Sequence, residues 1–481
     1  MTALRLSDIV RRDLASDPVI TGVTSDSRRV GEGTLFAALP GAMTDGRAFI
    51  PQALSQGAAA VLAPADTPED VAPLLVRSGD VRRAYALAAR AFYGDQPRIC
   101  VAVTGTNGKT SVATFCRQIW TQLGHHAASM GTLGVVAGDE VLTGPGLTSP
   151  DAGDAARMLA ELAGRGVTHL ALEASSHGLD QRRIDGVNLA AAGFTNLSQD
   201  HLDYHADMAS YRDAKLRLFD TLLPRGRTAV LNADSEVYNA FAGAGIMAGL
   251  GVMSVGERGR DIGLVSRRAT PDGQRLVIES RGERHEVLLP LAGAFQVENA
   301  LVAAGLCVAA GDAPADVIAA LSHIKGAAGR LQRVGTTASG AEAYVDYAHT
   351  PDGLKTVLSA LRPHAKGRLV VVFGAGGDRD RGKRVLMGQV AAKLADVAIV
   401  TDDNPRSEDP AAIRAEIRRG SPDAREIGDR RQAIATAVAG LRAGDVLVVA
   451  GKGHEQGQIV GETVYPFDDA TEVAKAIRDA E

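Results

Sequence analysis

The chain of 481 residues is poor in aromatic side chains, and neither sign of charge dominates it. Aromatic residues make up 4% of the chain, too few for the base-stacking platforms of proteins that bind single-stranded nucleic acid. The 52 basic and 57 acidic side chains give a formal net charge of −5, which argues against a broad nucleic-acid or anionic-membrane surface. A local basic pocket for a small anionic ligand stays compatible with this balance.

Cysteine and long hydrophobic runs are also scarce. Cys100, Cys116 and Cys307 lack CxxC spacing, which excludes a disulfide framework or a zinc ribbon and predicts buried residues in a reducing compartment. The first residues, MTALRLSDIVRRDLASD, contain charges throughout, so we expect no signal peptide. The charge-free stretch 237–256 is too weakly hydropathic to span a bilayer. We therefore expect a cytoplasmic protein without membrane insertion.

Length and pattern together predict three α/β domains. Residues 1–97 alternate short strands and helices and form a small first domain. Residues 98–328 begin with the strand ICVAV, a glycine-containing loop and a helix over 111–123, which is typical of a parallel sheet. Residues 329–481 alternate the strands LVVVF, VAIVT and VLVVA with helices, which predicts a Rossmann-like, doubly wound sheet.

The segment TGTNGKTS lies between a predicted strand and a predicted helix. Its glycines allow backbone N–H groups to approach phosphate oxygens, and the helix N-terminus adds positive potential. A lysine and a threonine at these positions can supply a point charge and a magnesium ligand. The alternative is a plain turn with a surface lysine, since the spacing is two residues shorter than the common phosphate loop. The residues predicted to contact nucleotide phosphates are Gly105, Thr106, Asn107, Gly108, Lys109, Thr110 and Ser111.

Two further residues point to chemistry beside these phosphates. Glu173 ends the strand HLALE, and the carboxyl end of a parallel strand is where a magnesium–nucleotide complex would bind. Lys215 falls within an apolar stripe of helical spacing that includes Tyr211 and Phe219. A buried ammonium is costly, so Lys215 needs a partner, a lowered pKa or a covalent change. The alternatives are a solvated strand end for Glu173 and a lysine that reaches the surface for Lys215.

These motifs resemble those of the Mur ligases and the folylpolyglutamate synthetases, which are three-domain, ATP-dependent amide ligases. The resemblance implies that Thr110, Glu173 and His201 bind magnesium, and that Lys215 is carbamylated and binds magnesium as an anion. FQVENAL is similar to the family's FNxxNAL segment, which implies adenine contact by Asn299, with Gln296 replacing the usual Asn. It also implies phosphate contact by Arg330, which follows Gly329, and ribose contact by Asp346 in VDYAHTP.

Polar segments follow three predicted strands of the last domain: GAGGDRDRGKR, DNPR and GKGHE. The carboxyl ends of parallel strands meet at one edge, so these segments can converge on one pocket. Its mixture of arginines and carboxylates suits a zwitterion, and Arg406 can grip a carboxylate bidentately. Lysine as a ligand would place its ammonium beside Arg406. The alternative is that these arginines form ordinary surface ion pairs.

The DNPR tetrapeptide is similar to that of the Mur ligases that add meso-diaminopimelate, and the resemblance covers nearly the whole chain. It implies that the added amino acid is contacted by Arg379, Asp403, Asn404, Arg406, Gly451 and Glu455. It implies that the UDP-muramyl dipeptide is contacted by Ser27, Thr148, Ser149, Ser175, Gln181 and Arg183. Two departures from the family pattern are Ala42, where His is frequent, and Ser149, where the family usually has a second Thr.

The resemblance implies ATP-dependent ligation of meso-2,6-diaminopimelate to UDP-N-acetylmuramoyl-L-alanyl-D-glutamate through an acyl phosphate, in peptidoglycan precursor synthesis. We expect ATP and Mg²⁺ as cofactors, small-molecule substrates, no nucleic-acid partner and a monomer. Three alternatives are a folylpolyglutamate synthetase, a lysine-adding Mur ligase and an ATP-binding scaffold without ligation. The first domain and the DNPR segment argue against a folylpolyglutamate synthetase, and Arg406 argues against a lysine-adding Mur ligase. Lys215, together with the predicted amino-acid pocket of the last domain, argues against a scaffold.

Overall fold

The computed structural model describes residues 4–14, 16–41, 44–144, 146–200, 204–270 and 272–480. The chain divides into two compact units, which are described separately. The first unit consists of Met1–Val255 and Gly305–Ala313, and the second of Gly256–Ala304 and Pro314–Glu481.

The first unit begins with a small α/β layer. Its elements are β1 (Leu4–Arg5), α1 (Leu6–Val10), β2 (Val19–Ile20), β3 (Gly22–Thr24), β4 (Thr34–Ala37), α2 (Ile50–Ser55), β5 (Ala58–Pro64), β6 (Leu75–Ser78) and α3 (Val81–Tyr93). Strands β3 to β6 form a parallel sheet in chain order. Helices α1 and α3 pack on one face and α2 on the other, so both faces are buried.

A larger parallel sheet completes the first unit. Its elements are β7 (Ile99–Thr104), α4 (Lys109–Gln122), β8 (Ala127–Gly131), β9 (Gly134–Ala137), β10 (Glu140–Thr143), α5 (Ala152–Gly164), β11 (His169–Glu173), α6 (Ser176–Asp180), β12 (Leu189–Phe194), α7 (Met208–Arg217), β13 (Thr228–Asn232), α8 (Tyr238–Met247) and β14 (Gly251–Gly256). The strand order is β10-β9-β8-β11-β7-β12-β13-β14, and β8, β11, β7, β12, β13 and β14 are parallel. The central strands are continuously apolar because helices cover both faces.

This topology determines where polar side chains can meet. β7 lies between β11 and β12, so the ends of all three strands lie at one edge. The loop after β7, Glu173 at the end of β11 and the segment after β12 therefore adjoin one another.

The second unit contains an antiparallel three-stranded segment followed by a doubly wound sheet. Its elements are β15 (Ile262–Thr270), β16 (Gly273–Ser280), β17 (Glu283–Leu289), α9 (Ala294–Ala310, whose last turns belong to the first unit), α10 (Pro314–Ala320), β18 (Gln332–Thr336), β19 (Glu342–Asp346), α11 (Pro351–Leu361), β20 (Leu369–Phe373), α12 (Gly382–Leu394), β21 (Val397–Val400), α13 (Pro410–Arg418), β22 (Arg425–Glu426), α14 (Arg430–Ala439), β23 (Val446–Ala450), β24 (Gly457–Val460), β25 (Thr463–Pro466) and α15 (Asp469–Asp479).

The doubly wound sheet has the order β18-β19-β23-β20-β21-β22, with only the edge strand β18 antiparallel. Helices α11 to α13 cover one face and α14 and α15 the other. At the first residues of α14 and α15, Arg430 and Asp469 form a fully buried bidentate ion pair with two contacts of 2.7 Å. Its hydrogen bonds offset the desolvation of both charges.

The fold class predicted from the sequence is confirmed, as are the principal strands and helices of both large sheets. The helix predicted over 111–123 begins two residues earlier, at Lys109. The antiparallel strands β15 to β17 had no counterpart among the predicted elements. The boundaries at 97/98 and 328/329 stay predictions.

The three cysteines are buried, as the sequence predicts. Cys100, Cys116 and Cys307 are all within the described residues, all are buried, and none forms a disulfide. Burial raises the pKa of the Cys100 thiol to about 12. In the part of the chain that the structure describes, no helix combines the length and apolar character needed to cross a bilayer.

Candidate active site

The loop between β7 and α4, residues 104–111, is here called the phosphate loop. Gly105 has a φ of +150°, and a Cβ there would lie 1.9 Å from the Thr195 Oγ1, so only glycine fits. The Thr195 hydroxyl donates to the Asn107 carbonyl at 2.6 Å, which ties the loop to the end of β12. The Lys109 ammonium donates to the carbonyls of Gly105 and Thr106 at 2.9 and 2.8 Å. The loop is thus a rigid cradle with a positive charge against it.

Glu173 lies at the adjoining strand end and is 3% exposed. Its Oε2 accepts from the Thr110 hydroxyl at 3.0 Å and from the Thr132 hydroxyl at 3.2 Å, and its Oε1 accepts from the Thr132 N–H at 2.9 Å. A Cβ at Gly131 would lie 2.2 Å from the Oε1, so glycine leaves the space for this carboxylate. The alternative that Glu173 is a solvated strand end is thereby excluded.

Thr132 is a residue that the sequence reasoning missed. It grips both oxygens of Glu173, and its hydroxyl lies 3.0 Å from the Thr148 hydroxyl. Its position directly after β8, a strand next to β11, is a signal that could have identified it.

Lys215 lies on α7 and is 1% exposed, which excludes the alternative that it reaches the surface. The helix continues beyond Arg217 as a π-helical turn over Leu218–Leu222, a distortion frequent at functional sites. The Lys215 Nζ donates to the Gly105 carbonyl at 2.9 Å and lies 4.3 Å from the centroid of the Tyr211 ring. Burial lowers the pKa of Lys215 well below its ordinary value, and the nearby Lys109 charge lowers it further. The surroundings therefore increase the neutral fraction of this amine directly beneath the phosphate loop.

Four of the six predicted dipeptide-substrate residues form one hydrogen-bonded network in the first unit. The network comprises Ser149, Ser175, Gln181 and Arg183. The Ser149 hydroxyl donates to the Glu173 carbonyl at 3.0 Å, and the Arg183 guanidinium donates to the Ser149 carbonyl at 2.7 Å. The network thus adjoins Glu173 through Ser149, and Thr148, the fifth predicted residue, is connected to Glu173 through Thr132.

Ser27, the sixth predicted residue, hydrogen-bonds elsewhere. Its hydroxyl donates to the Gln52 Oε1 at 3.1 Å. The small α/β layer is instead linked to the segment that contains Thr148 and Ser149. Asp151, just after that segment, accepts from the hydroxyls of Tyr85 at 2.6 Å and Ser25 at 3.2 Å. Two other predicted positions, His201 and Ala42, lie outside the described residues.

The remaining predicted nucleotide contacts lie in the second unit. Asn299 is buried on α9, and its amide donates to the Gln296 Oε1 at 3.1 Å. Gln296 in turn donates to the Arg330 carbonyl at 3.0 Å. Gln296, whose role the sequence left open, therefore joins two of the predicted contacts. The Arg330 guanidinium stacks on the Tyr347 ring at 4.8 Å from its centroid.

Asp346, at the end of β19, is buried and held by backbone donors. Its Oδ2 accepts from the Leu331 N–H at 2.6 Å and its Oδ1 from the Ala348 N–H at 2.7 Å. Burial raises the pKa of Asp346 to about 6, although the Arg330 charge and these N–H groups oppose the increase.

The predicted amino-acid residues do follow the ends of β20, β21 and β23. The Asn404 amide donates to the Glu455 Oε2 at 2.8 Å, which joins the DNPR and GKGHE segments. The Arg406 guanidinium donates to the Gly377 carbonyl at 2.9 Å, which joins DNPR to the segment after β20. The Arg379 guanidinium donates to the carbonyl of its neighbour Asp378 at 3.5 Å.

Asp403 has a buried carboxylate oxygen that could accept from a positively charged ligand. Its carboxylate is nearly buried, and among the described residues its Oδ2 has no hydrogen-bond partner. A Cβ at Gly451, where φ is +122°, would lie 2.4 Å from that oxygen. Since an unpaired buried carboxylate is costly, the geometry favours an ammonium as its partner.

The β24–β25 hairpin, residues 457–466, is hydrogen-bonded to the DNPR segment. The Arg406 N–H donates to the Ile459 carbonyl at 3.1 Å, and the Gly461 N–H donates to the Arg406 carbonyl at 2.7 Å. The Gln458 amide donates to the Asp403 carbonyl at 2.8 Å. These bonds hold Arg406 at a φ of +52°, a conformation that few non-glycine residues adopt.

Comparison with known proteins agrees with this geometry. The family models described as Mur ligase family, catalytic domain; Mur ligase middle domain; and Mur ligase, glutamate ligase domain match residues 19–101, 103–307 and 329–453. A curated protein of Caulobacter vibrioides, named UDP-N-acetylmuramoyl-L-alanyl-D-glutamate–2,6-diaminopimelate ligase, is 66% identical, with 98% of each chain covered. A protein of the same name from a Chelativorans species is 53% identical over 97% of this chain and 96% of its own.

Solved structures match as well. A structure titled as that of a UDP-N-acetylmuramoyl-L-alanyl-D-glutamate–2,6-diaminopimelate ligase has a TM-score of 0.77 at 33% identity, with 99% of both chains covered. A Mycobacterium tuberculosis folylpolyglutamate synthase complexed with ADP has a TM-score of 0.63 at 20% identity, covering 77% of this chain and 91% of its own. The second match shows a shared fold.

From the expected contact of Asp346 with ribose, we predict that the KM for ATP rises as the pH falls through about 6, because a neutral carboxyl group accepts a hydrogen bond more weakly than a carboxylate. The contribution of the carboxylate is complete above this pH and is lost below it, by up to about tenfold per pH unit. Asp346→Asn should raise the KM above about pH 6, approach the wild-type value below it, and remove this dependence. The measurement is the ratio of the KM for ATP of Asp346→Asn to that of the wild type, from steady-state kinetics between pH 5 and 8. Protonation of ATP itself affects both enzymes equally and cancels in this ratio.

Asp352→Asn, an exposed change on α11, serves as the matched control and should retain the wild-type profile. Equal pH dependence of the wild type and Asp346→Asn would contradict the assignment.

Proposed function

The chain belongs to the Mur ligase family, and we propose that it joins meso-2,6-diaminopimelate to UDP-N-acetylmuramoyl-L-alanyl-D-glutamate at the expense of ATP, yielding ADP and phosphate. The product is a precursor of peptidoglycan. The observation that carries the proposal is the pocket at the ends of β20, β21 and β23, where Arg406 and the carboxylates Asp403 and Glu455 offer both signs of charge. The near-complete coverage of relatives with this name supports it.

The first half of the proposed reaction is a phosphoryl transfer. The D-glutamate carboxylate of the dipeptide attacks the γ-phosphorus of ATP, ADP leaves, and an acyl phosphate forms. Attack of one anion on another requires compensating positive charge. Lys109 supplies it at the phosphate loop, and the N-terminus of α4 adds to it. Arg330 is proposed to contact the ATP phosphates, Asn299 the adenine and Asp346 the ribose.

Magnesium fits the residues beside this loop. Hydroxyl and carboxylate oxygens are its preferred protein ligands, and the Thr110 hydroxyl lies 3.0 Å from the buried Glu173 carboxylate. In the described part of the chain no group of three or more His, Cys, Asp or Glu side chains is arranged to hold a metal. We therefore assign the ion to Thr110, Glu173 and substrate phosphates, with His201 and carbamylated Lys215 as further ligands. When bound, it would neutralise charge on the transferred phosphoryl group.

The surroundings of Lys215 support its proposed carbamylation. A neutral amine adds to carbon dioxide and releases a proton, and the lowered pKa of Lys215 increases the fraction of neutral amine. The resulting carbamate carries a negative charge, which Lys109 close by would stabilise.

The second half of the reaction forms the amide. The amine of diaminopimelate attacks the acyl carbon, phosphate leaves, and the nitrogen loses a proton. The amino-acid end remote from this amine carries an ammonium and a carboxylate. Asp403 and Glu455 are proposed to bind that ammonium, while Arg406 binds that carboxylate bidentately. Lysine lacks this carboxylate and would leave Arg406 without its partner.

Phosphate release separates this function from its alternatives. With ATP and the UDP-linked dipeptide, the chain should release phosphate rapidly when meso-diaminopimelate is added, and far more slowly with lysine or glutamate. Preference for lysine would identify a lysine-adding Mur ligase, and dependence on folate with glutamate a folylpolyglutamate synthetase. A chain that releases no phosphate with any acceptor would be the ATP-binding scaffold.

Lys215→Ala should lower kcat by about 10²- to 10³-fold, the range seen when one preorganised electrostatic group is lost. Bicarbonate should not restore the activity, because alanine has no amine to carbamylate. The phosphate-release assay measures both effects, with the exposed Lys393→Ala on α12 as the control. Near-normal turnover of Lys215→Ala would refute the carbamate.

Arg406→Ala should raise the KM for diaminopimelate by about 10- to 100-fold, as expected when a charge-assisted hydrogen bond is lost. The KM for ATP should stay unchanged, because Arg406 belongs to the amino-acid pocket. Arg419→Ala, an exposed change at the end of α13, is the control. Unchanged kinetics for diaminopimelate would show that the pocket is assigned wrongly.

A further inference from the structure

Lys452 is a buried cation of the second unit to which the proposed reaction assigns no role. It lies in the GKGHE segment after β23, and its side chain is 0% exposed. Its ammonium donates to the Asn404 Oδ1 at 2.8 Å and to the Glu455 Oε2 at 3.2 Å. A fully buried ammonium is retained only where hydrogen bonds and an opposite charge compensate its desolvation. Lys452 therefore has two fixed partners, and both are proposed to contact the amino-acid substrate.

The contacts of Lys452 determine which way the Asn404 amide faces. The Asn404 Oδ1 accepts from the Lys452 ammonium and from the Ile459 N–H at 2.9 Å. The oxygen is thus held on the side of two donors, and the Nδ2 must turn toward Glu455, to which it donates at 2.8 Å. A rotated amide would place its NH₂ group against the ammonium.

The same contacts determine which oxygen of Glu455 is available. The Oε2 accepts from both Lys452 and Asn404, so its lone pairs are engaged. The side chain is 34% exposed, and its second oxygen remains as an acceptor for a donor entering the pocket. Lys452 thus orients the carboxylate without itself reaching the solvent.

The ion pairs around this segment point the same way. Arg430 is paired with Asp469. The Lys452 ammonium lies 3.2 Å from the Glu455 Oε2, so these two groups form a second ion pair. Lys452 therefore supplies the opposite charge that holds this oxygen of Glu455 in place.

We propose that Lys452 is a positioning residue for the amino-acid substrate: it fixes the orientation of the Asn404 amide and of the Glu455 carboxylate. This inference rests on the proposed function, because it assigns Lys452 a role in diaminopimelate binding. Lys452 acts through its two neighbours and does not touch the substrate.

The test compares the kinetics of Lys452→Met with those of the wild type in the phosphate-release assay. Methionine keeps the length of the side chain but removes its charge and donors. The KM for diaminopimelate should rise about 10- to 100-fold, the range for losing charge-assisted hydrogen bonds, with kcat and the KM for ATP within about twofold. Lys475→Met, an exposed change on α15, should leave all constants unaltered.

A double variant distinguishes positioning from general stabilisation. Because Lys452 acts partly through Glu455, Lys452→Met should raise the KM for diaminopimelate less in a Glu455→Gln background than in the wild type. Multiplied effects would show that Lys452 acts independently and would overturn the proposal. A lowered melting temperature with an unchanged KM would also overturn it, since the role would then be structural.

Lys452→Gln covers the case in which Lys452→Met does not fold, because glutamine retains a donor toward Asn404 without the charge. Its KM for diaminopimelate should also rise, and an unchanged value would refute the positioning role. A wild-type chain that fails to use diaminopimelate would instead refute the proposed function, and this inference with it. A wild type that is active, beside variants with normal KM values, would refute the inference alone.

Discussion

Two lysine ammonium groups, Lys109 and Lys215, donate to one backbone oxygen, the carbonyl of Gly105. The two positive charges are close, and one of them is buried, so the arrangement favours loss of a proton from the buried amine. The rest of the first unit keeps this amine in place: α7 carries it, Tyr211 packs against it, and the loop whose carbonyl it contacts is fixed by Thr195. A neutral amine beside a phosphate-binding loop is the chemical constraint on which the proposed metal site depends.

Glycine serves a similar purpose at several strand ends. At Gly105, Gly131 and Gly451 a Cβ would collide with the Thr195, Glu173 and Asp403 side chains, respectively. In each case the missing side chain is what allows a polar group to lie directly against the backbone. The sites of both units are therefore built by close approach of main chain and functional side chain at the carboxyl edge of a parallel sheet.

Much of this arrangement could be predicted from the sequence. The phosphate loop, the burial of Lys215 and the convergence of three polar segments all follow from local patterns: a strand before glycines, a lysine within an apolar stripe, and motifs directly after apolar strands. These signals depend on neighbours a few residues away, so they can be interpreted without tertiary structure.

The rest required the fold because it depends on pairs that are distant in the chain. The contact of Thr132 with Glu173 spans 41 residues, and that of Lys452 with Asn404 spans 48. Gln296 joins Asn299 to the Arg330 backbone in a way that the FNxxNAL comparison did not indicate. Residue type alone identified none of these partners.

The backbone bonds between the β24–β25 hairpin and the DNPR segment have a consequence for how amino-acid selectivity can change. The tetrapeptide that carries Arg406 obtains its unusual conformation from a hairpin more than fifty residues further along the chain. Exchanging the tetrapeptide alone between homologues of different selectivity would transplant the side chains without the support that aims them. On the proposed assignment of this pocket, selectivity would depend on both segments, and redesign for another amino acid would have to transfer both together.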